Sequence, residues 1–108
     1  MPEEYRKLVF SSAELFLAAS EFCQGTGALL AQDDVVEVSL TGEQDQPAVL
    51  RYTTGVQASV TEVTLSRDQL AAALIQFCRK RRIPVPRGGE KVLKIEDGRV
   101  ALLVHVGD

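Results

Sequence analysis

The sequence predicts an α+β fold of two β-α-β-β repeats, in which two helices pack on an antiparallel or mixed sheet of about six strands. Three observations predict it: a helical pattern that occurs twice, a strand-like run before each copy, and a hairpin pattern after each copy. With 108 residues, the chain has the usual length of one domain. We therefore expect a single domain over residues 1–108, with repeats related by a pseudo-two-fold at approximately 5–54 and 56–107.

The two predicted helices share both their caps and their apolar stripe. Residues 11–23 read SSAELFLAASEFC, and residues 66–78 read SRDQLAAALIQFC. Each begins with a capping box, in which a serine hydroxyl accepts a hydrogen bond from an early helix N–H and a Glu or Gln side chain reaches back. Apolar residues then recur at i, i+3, i+4, i+7 and i+8, which is typical of a helix with one buried face. Five positions are identical at an offset of 55: Ser11 and Ser66, Leu15 and Leu70, Ala18 and Ala73, Phe22 and Phe77, Cys23 and Cys78.

The predicted strands flank these helices in the same order in each repeat. A strand-like run precedes each helix, and a hairpin follows it. In the first hairpin, Val36, Val38 and Leu40 alternate with polar residues. In the second, Asp97-Gly98 stands between two such runs, which is a strong short-range hairpin signal. The predicted strands are residues 5–10, 36–40, 48–53, 57–65, 92–95 and 99–106.

The last strand predicts an interface. Its valines and Leu102 share one face, yet Ala101 and Leu103 make the other face apolar as well, and His105 lies on that second face. A strand that is apolar on both faces is either covered on both sides or part of an interface. Because two helices leave part of a six-stranded sheet uncovered, we expect a homodimer whose interface includes Ala101, Leu103 and His105.

A second candidate contact lies on the first helix. Phe16 and Leu17 fall outside its apolar stripe, at positions where the second helix has Ala71 and Ala72. Large apolar residues on the flank of only one helix indicate a contact that the other helix does not make. The contact is with the sheet itself, with a dimer mate or with another protein, so Phe16 and Leu17 join the candidate interface.

Positive charge is concentrated in the second repeat, although the chain has a net charge of −3. From residue 79 to residue 94 there are seven basic residues and one acid, a net charge of +6, which leaves −9 on the rest. Cations complement the C-terminal end of a helix, but such a cluster also suits nucleic-acid phosphates or a phosphorylated ligand. Nucleic acid is possible but not favoured, because the pI is about 5.1 and no aromatic residues are interleaved for base stacking. The candidate anion- or partner-binding residues are Arg79, Lys80, Arg81, Arg82, Arg87, Lys91 and Lys94.

No catalytic set is predicted, although a small enzyme that uses a cysteine or the histidine is an alternative. Cys23 and Cys78 occupy equivalent stripe positions, which favours two buried thiols over a redox or metal pair. A zinc site needs about four ligands, and the chain has one histidine and no closely spaced cysteine pair. No spacing in the chain places a nucleophile beside His105. We expect no catalytic residue, no metal and no cofactor.

The composition predicts a cytoplasmic protein. The first five residues are acidic and lack the basic-then-apolar order of a secretory signal. No run approaches the ~18 apolar residues of a membrane span, so we expect no membrane partner. Two cysteines 55 residues apart are expected to stay reduced.

A motif in the second repeat resembles a family of short, uncharacterised bacterial proteins, mainly alphaproteobacterial. The motif is Leu74-Ile75-x-Phe77-Cys78-Arg79, then Ile83-Pro84-Val85-Pro86-Arg87 and Lys91-x-Leu93. It covers about a third of the chain. The resemblance implies a bacterial cytoplasmic origin and brings no catalytic or binding residue.

Together these patterns predict a non-enzymatic protein-interaction module of otherwise unknown function. We expect a homodimer, joined through sheet or helix surface, and a protein partner that the sequence does not identify. Nucleic-acid or phosphate-ligand binding through residues 79–94 is one alternative. A small enzyme that uses Cys23, Cys78 or His105 is the other.

Overall fold

The computed structural model describes residues 3–30, 33–54, 59–86 and 88–106. It has the α+β class that the sequence predicts, with two helices and six strands in the order β-α-β-β, β-α-β-β over the described residues. Within that part of the chain neither helix is long and apolar enough to cross a membrane. The elements are β1 (Glu4–Phe10), α1 (Ser12–Thr26), β2 (Asp33–Leu40), β3 (Ala48–Thr54), β4 (Val60–Leu65), α2 (Arg67–Lys80), β5 (Glu90–Glu96) and β6 (Arg99–Val106).

Both helices begin at the predicted capping boxes. Ser11 Oγ accepts a hydrogen bond from Glu14 N at 3.1 Å, and the Glu14 carboxylate accepts one from Ser11 N at 2.8 Å. Ser66 and Gln69 repeat this exchange at 3.2 and 2.9 Å. α1 ends at Gly27, whose φ of 85° is left-handed and suits a glycine. The start of each helix is therefore determined by its own capping residues and does not depend on a tertiary contact.

The prediction of one sheet of about six strands is wrong. The strands form two antiparallel sheets of three, which we name sheet A (β1-β6-β5) and sheet B (β2-β3-β4). The reason is an exchange between the repeats: β1 of the first repeat pairs with β6 of the second, and β4 of the second pairs with β3 of the first. Each hairpin thus takes its third strand from the other repeat.

The helices and the inner faces of both sheets share one buried core. Leu50 at the middle of sheet B and Leu102 at the middle of sheet A are fully buried. Between the helices and sheets, Phe10 contacts Phe77 edge to face with 6.2 Å between ring centroids. The core is mostly aliphatic, and burial of each such side chain contributes about 1.5–3 kcal/mol before entropy is counted.

The predicted alternation of β2 is wrong at Val36. The pairing with β3 shifts register between Val35 and Glu37, so Val36 is an extra residue in a β-bulge. Val36 is 56% exposed, while Val35 and Val38 pack against the core. One inserted residue reverses the alternation on its N-terminal side, which is why Val35 replaces Val36 on the inner face.

The start of β5 requires a glycine. Gly89 has a φ of +90°, in the left-handed region, and a Cβ at this position would overlap the carbonyl oxygen of His105 on β6. The neighbouring Gly88 has no atom near the equivalent Cβ position. Of these two neighbouring glycines, therefore, only Gly89 is held to glycine by its surroundings.

Candidate functional site

The outer face of sheet A is the side turned away from the helices. Leu8, Phe10, Leu102 and Val104 pack in or against the core, so the residues that alternate with them along β1 and β6 point outward. The pairing registers place those residues in rows across the three strands. The outer face of sheet A comprises Tyr5, Lys7, Val9, Glu90, Val92, Lys94, Glu96, Arg99, Ala101, Leu103 and His105.

One half of this face is an apolar depression. Leu103 lies at its centre, half-buried, between Lys7 on β1 and Val92 on β5. Val92 is 47% exposed and Tyr5 is 72% exposed, although both are large apolar side chains. With His105 they line an open depression of about 330 Å³. Exposed apolar surface gathered in one concave place is typical of an interaction site.

Tyr5 and His105 close the depression at one end. Their rings are stacked with centroids 4.3 Å apart and an interplanar angle of 7°. His105 Nε2 is buried without a hydrogen-bond partner in the described residues, and it lies 4.0 Å from the Glu3 carboxylate. Stacking fixes both rings in place, so they offer a partner a large contact area at little cost in side-chain entropy.

An ion pair crosses the other half of the face. Lys7 Nζ donates a hydrogen bond to Glu96 Oε2 at 3.1 Å, and this bond holds the pKa of Glu96 below its ordinary value. Lys7 lies opposite Leu103 and Glu96 lies opposite Arg99, so the pair passes over Ala101 between them. Ala101 is therefore only 3% exposed. Of the three predicted interface residues on β6, Leu103 and His105 are accessible, and Ala101 is covered by its own chain.

The outer face of sheet B has the opposite character. Ala48 pairs with Leu65 as Val100 pairs with Phe10, so Arg51 occupies the position in sheet B that Leu103 occupies in sheet A. Arg51 lies between two carboxylates, 3.3 Å from Glu37 and 3.6 Å from Glu62. The central row of this face is fully charged, as expected for a surface that remains in water.

A second apolar patch lies between α1 and β2. Phe16 is half-buried and Leu17 is 42% exposed, so neither is absorbed into the core. Val36, turned outward by the bulge, lines the same shallow depression of about 560 Å³, as does Ala13. We name the surface formed by Ala13, Phe16, Leu17 and Val36 the α1–β2 patch.

The sequence pattern missed several of these residues for identifiable reasons. The alternation of Val36, Val38 and Leu40 places all three on one face, although the Val35-Val36 doublet breaks the strict alternation of β2 and is the sign of a bulge. Tyr5 and Val92 alternate regularly in their own strands, but only the pairing of β1 and β5 with β6 brings them beside Leu103. The pairing of β1 with β6 joins residues 90 to 102 positions apart and has no local signal, whereas β5 and β6 form the local hairpin that Asp97-Gly98 predicts.

The basic residues that the structure describes between positions 79 and 94 do not form a single surface. Arg79, Lys80 and Arg82 are exposed at the end of α2. Lys91 pairs with core-facing Val104, whereas Lys94 pairs with outward-facing Ala101, so these two lysines belong to opposite faces of sheet A. Lys94 also lies 3.6 Å from Glu96. Arg87 lies outside the described residues.

Arg81 is already engaged within the chain. Its guanidinium makes two parallel hydrogen bonds of 3.0 Å to the Glu21 carboxylate on α1 and lies 4.0 Å from the centroid of the Phe77 ring. The hydrogen bond from Arg81 lowers the pKa of Glu21, despite the opposing effect of burial. Bidentate geometry of this kind is specific, so Arg81 joins the two helices and is not available to an anion.

Cys23 and Cys78 are buried, as the stripe predicts. They are 1% and 0% exposed, both are free thiols, and both belong to the core. Burial raises the pKa of both thiols, and Glu14 adds to the effect at Cys78. A thiol that stays protonated and inaccessible is a poor nucleophile.

Asp33 has a structural role at the start of β2. Its carboxylate is buried and accepts hydrogen bonds from Leu30 N at 2.8 Å and Thr54 Oγ1 at 2.5 Å. Among the described residues, no cluster of three or more His, Cys, Asp or Glu side chains has the arrangement of a metal site.

Comparison with known proteins gives no relative from which a function could be transferred. No protein-family model, no curated protein and no solved structure matches the chain. The resemblance to short bacterial proteins therefore stays a prediction.

Proposed function

We propose that the protein is a non-enzymatic interaction module that forms a homodimer through the outer face of sheet A. One observation carries the proposal. The central row of this face is Lys7, Leu103 and Val92, whereas sheet B has a row of three charged residues at the equivalent positions. Since the two sheets are built alike, the two apolar residues of this row are not a requirement of the scaffold, and an interface accounts for them.

The charges of this face suit a second copy of the same chain. The outward-facing residues of sheet A and the turn beside them include three cations and three anions: Lys7, Lys94, Arg99, Glu90, Glu96 and Asp97. Because the numbers balance, two such faces related by a two-fold axis do not repel each other. Opposite charges on the rim then set the orientation more than the strength of the complex.

The strand edges favour stacking of faces over pairing of edges. Glu4, Arg6 and Lys7 lie along β1, and Lys91 and Lys94 lie along β5. Charged residues on edge strands oppose the addition of another strand. Two copies of sheet A are therefore expected to pack face to face, with the sheets about 10 Å apart.

The dimensions of the face predict a weak dimer. β1 and β5 have seven residues each, so the face is roughly 24 Å long and about 14 Å wide at ordinary strand spacing. Two such faces cover roughly 700 Å² before side-chain relief is counted, which is below the ~1,200 Å² of the smaller stable interfaces. We expect a Kd on the order of 10–100 μM, equivalent to about 5.5–7 kcal/mol.

The buried thiols support a non-enzymatic role and a reducing compartment. Cys23 and Cys78 lie in the core, while His105 lies on the outer face of sheet A, with the sheet between them. Neither thiol therefore shares a surface with His105, as a nucleophile and its general base would have to. We propose the cytoplasm as the location, because both thiols are free.

Sedimentation equilibrium from about 1 to 500 μM tests the homodimer. The wild-type chain is expected to show a mass that rises with concentration. Leu103→Glu places a charge at the centre of the interface and is expected to stay monomeric. Val60→Glu is the matched control, because Val60 is 53% exposed at the sheet B position equivalent to Tyr5. A wild-type chain that is monomeric throughout would overturn the proposal.

A further inference from the structure

The α1–β2 patch lies in a part of the chain that has no positive charge. Residues 11–50 include α1 and β2 and contain seven acidic residues but no Lys, Arg or His. Glu37 lines the patch, and Asp34 is exposed on the same strand. The cation of sheet B that contacts this region is Arg51, which pairs with Glu37. An apolar surface with an acidic border is complementary to a partner that is both apolar and basic.

We propose that the α1–β2 patch binds a basic amphipathic helix of another protein. Leu17 and Val36 are about half exposed and border one depression with Phe16, so apolar side chains from one face of a helix can enter it. Lys or Arg residues on the flanks of that helix then meet the acidic border. The occupant is a helix rather than an added strand, because the bulge at Val36 interrupts the regular edge that a new strand would need.

The second repeat shows that the patch is not needed for folding. α2 has Ala71 and Ala72 where α1 has Phe16 and Leu17. β5 pairs with β6 without the register shift that turns Val36 outward in β2. The same scaffold therefore forms without these large side chains, and their exposure is explained by a partner.

The acidic border also selects against other occupants. Nucleic acids and the headgroups of anionic lipids carry phosphate, which the carboxylates repel. The homodimer proposed above uses the outer face of sheet A, so the α1–β2 patch on sheet B remains open in it. The two proposals are independent, since neither uses a residue of the other.

A model peptide tests the proposal directly. The probe is a labelled helix-forming peptide of roughly 18 residues, long enough to be helical, with a leucine stripe and lysines elsewhere. Its control is the same peptide with glutamates in place of the lysines. We expect the lysine peptide to bind with a fluorescence-anisotropy titration that weakens as salt increases, and the glutamate peptide to bind at least ~10-fold more weakly.

Variants locate the binding to the patch. Leu17→Ala combined with Val36→Ser is expected to weaken binding of the lysine peptide by about 10-fold, because both changes reduce the apolar contact area of the patch. Val60→Ser is the matched control, because Val60 and Val36 are exposed to 53% and 56% and only Val36 borders the patch. Phe16→Ala with Leu17→Ala is a second variant, whose side chains are those that α2 carries at the same positions.

Three results would overturn the proposal. Equal binding of the lysine and glutamate peptides would remove the role of charge. Unchanged binding in both patch variants would place the peptide elsewhere. Loss of self-association in the Leu17→Ala, Val36→Ser variant would identify a second copy of this chain as the occupant.

Discussion

Sheets A and B have the same connectivity and opposite outer faces. In each, a hairpin from one repeat takes its third strand from the other repeat. The inner faces are alike, with Leu102 and Leu50 at equivalent buried positions. The outer faces differ at their centres, where Leu103 stands in sheet A and Arg51 in sheet B. Folding therefore explains the inner faces, and only the outer faces need a functional explanation.

The exchange of strands between the repeats also determines which residues form the outer face of each sheet. The central row of sheet A takes Lys7 from the first repeat and Val92 and Leu103 from the second. The row of sheet B combines the repeats in the reverse proportion. A surface property of either sheet thus depends on both halves of the chain. Substitutions on each sheet can therefore test whether the functional difference lies in the central rows of the two outer faces.

The largest expected effect is at the start of β5, where Gly89 directly precedes Glu90, the residue that pairs with His105 of sheet A. Gly89→Ala adds a Cβ that overlaps the His105 carbonyl oxygen at a left-handed φ of +90°. We expect the free energy of unfolding in urea to fall by roughly 3 kcal/mol, from backbone strain and overpacking together. Gly88→Ala is the control and is expected to change it by less than about 0.5 kcal/mol. Equal losses in the two variants would contradict the close approach.

The second experiment gives sheet A the central row of sheet B. Lys7→Glu, Val92→Glu and Leu103→Arg reproduce the Glu62, Arg51 and Glu37 arrangement on the outer face of sheet A. We expect sedimentation equilibrium to show self-association weakened by at least ~100-fold, about 2.7 kcal/mol, because charges replace the apolar centre. Circular dichroism should show an unchanged fold, since sheet B tolerates the same row. If the variant is folded and still associates, the dimer interface does not lie on the outer face of sheet A.

The caps and stripes could be predicted from sequence, but the outer faces could not. Ser11 and Ser66 act on their own helix within three residues, so the pattern that specifies them is local. Ala101 shows why the exposure of an outer-face residue could not be predicted from the sequence. It alternates correctly with its neighbours, yet its exposure depends on an ion pair between β1 and β5, which come together only in the folded sheet. Pairing over such separations is decided by tertiary packing rather than by strand propensity.

The two helices also differ, at their C-terminal ends. The pH dependence of protein stability can measure what this difference contributes. α2 ends next to Arg81, which pairs with Glu21 of α1, whereas α1 ends without a basic residue. The pKa of Glu21 is lowered from an ordinary value of 4.5, chiefly by the hydrogen bond from Arg81. The unfolded chain therefore takes up this proton at a higher pH than the folded chain does. The stability from the pair is complete above 4.5 and is lost as the pH falls through the folded-state pKa.

Glu21→Gln tests that assignment by chemical denaturation between about pH 7 and pH 3. The variant is expected to be less stable than the wild type at pH 7, and the difference should shrink towards pH 3, where the wild-type carboxylate is also neutral. Arg81→Gln should also approach the wild type towards pH 3, with a remaining difference from the lost contact with the Phe77 ring. A difference that stays constant with pH would mean that Glu21 acts through packing and not through its charge.

The smallest effect is expected from Arg51→Leu, which gives sheet B the central residue of sheet A. The variant loses two exposed ion pairs, to Glu37 and Glu62, and exposed pairs contribute little, so unfolding should change by about 0.5 kcal/mol or less. We also expect no new self-association by sedimentation, because the flanking carboxylates stay and two copies of this face would bring four of them together. In sheet A the flanks are Lys7 and Val92, so the centre can be buried without like charges meeting. Association of Arg51→Leu would show that one exposed leucine suffices, and the interface would then be defined by Leu103 alone rather than by its row.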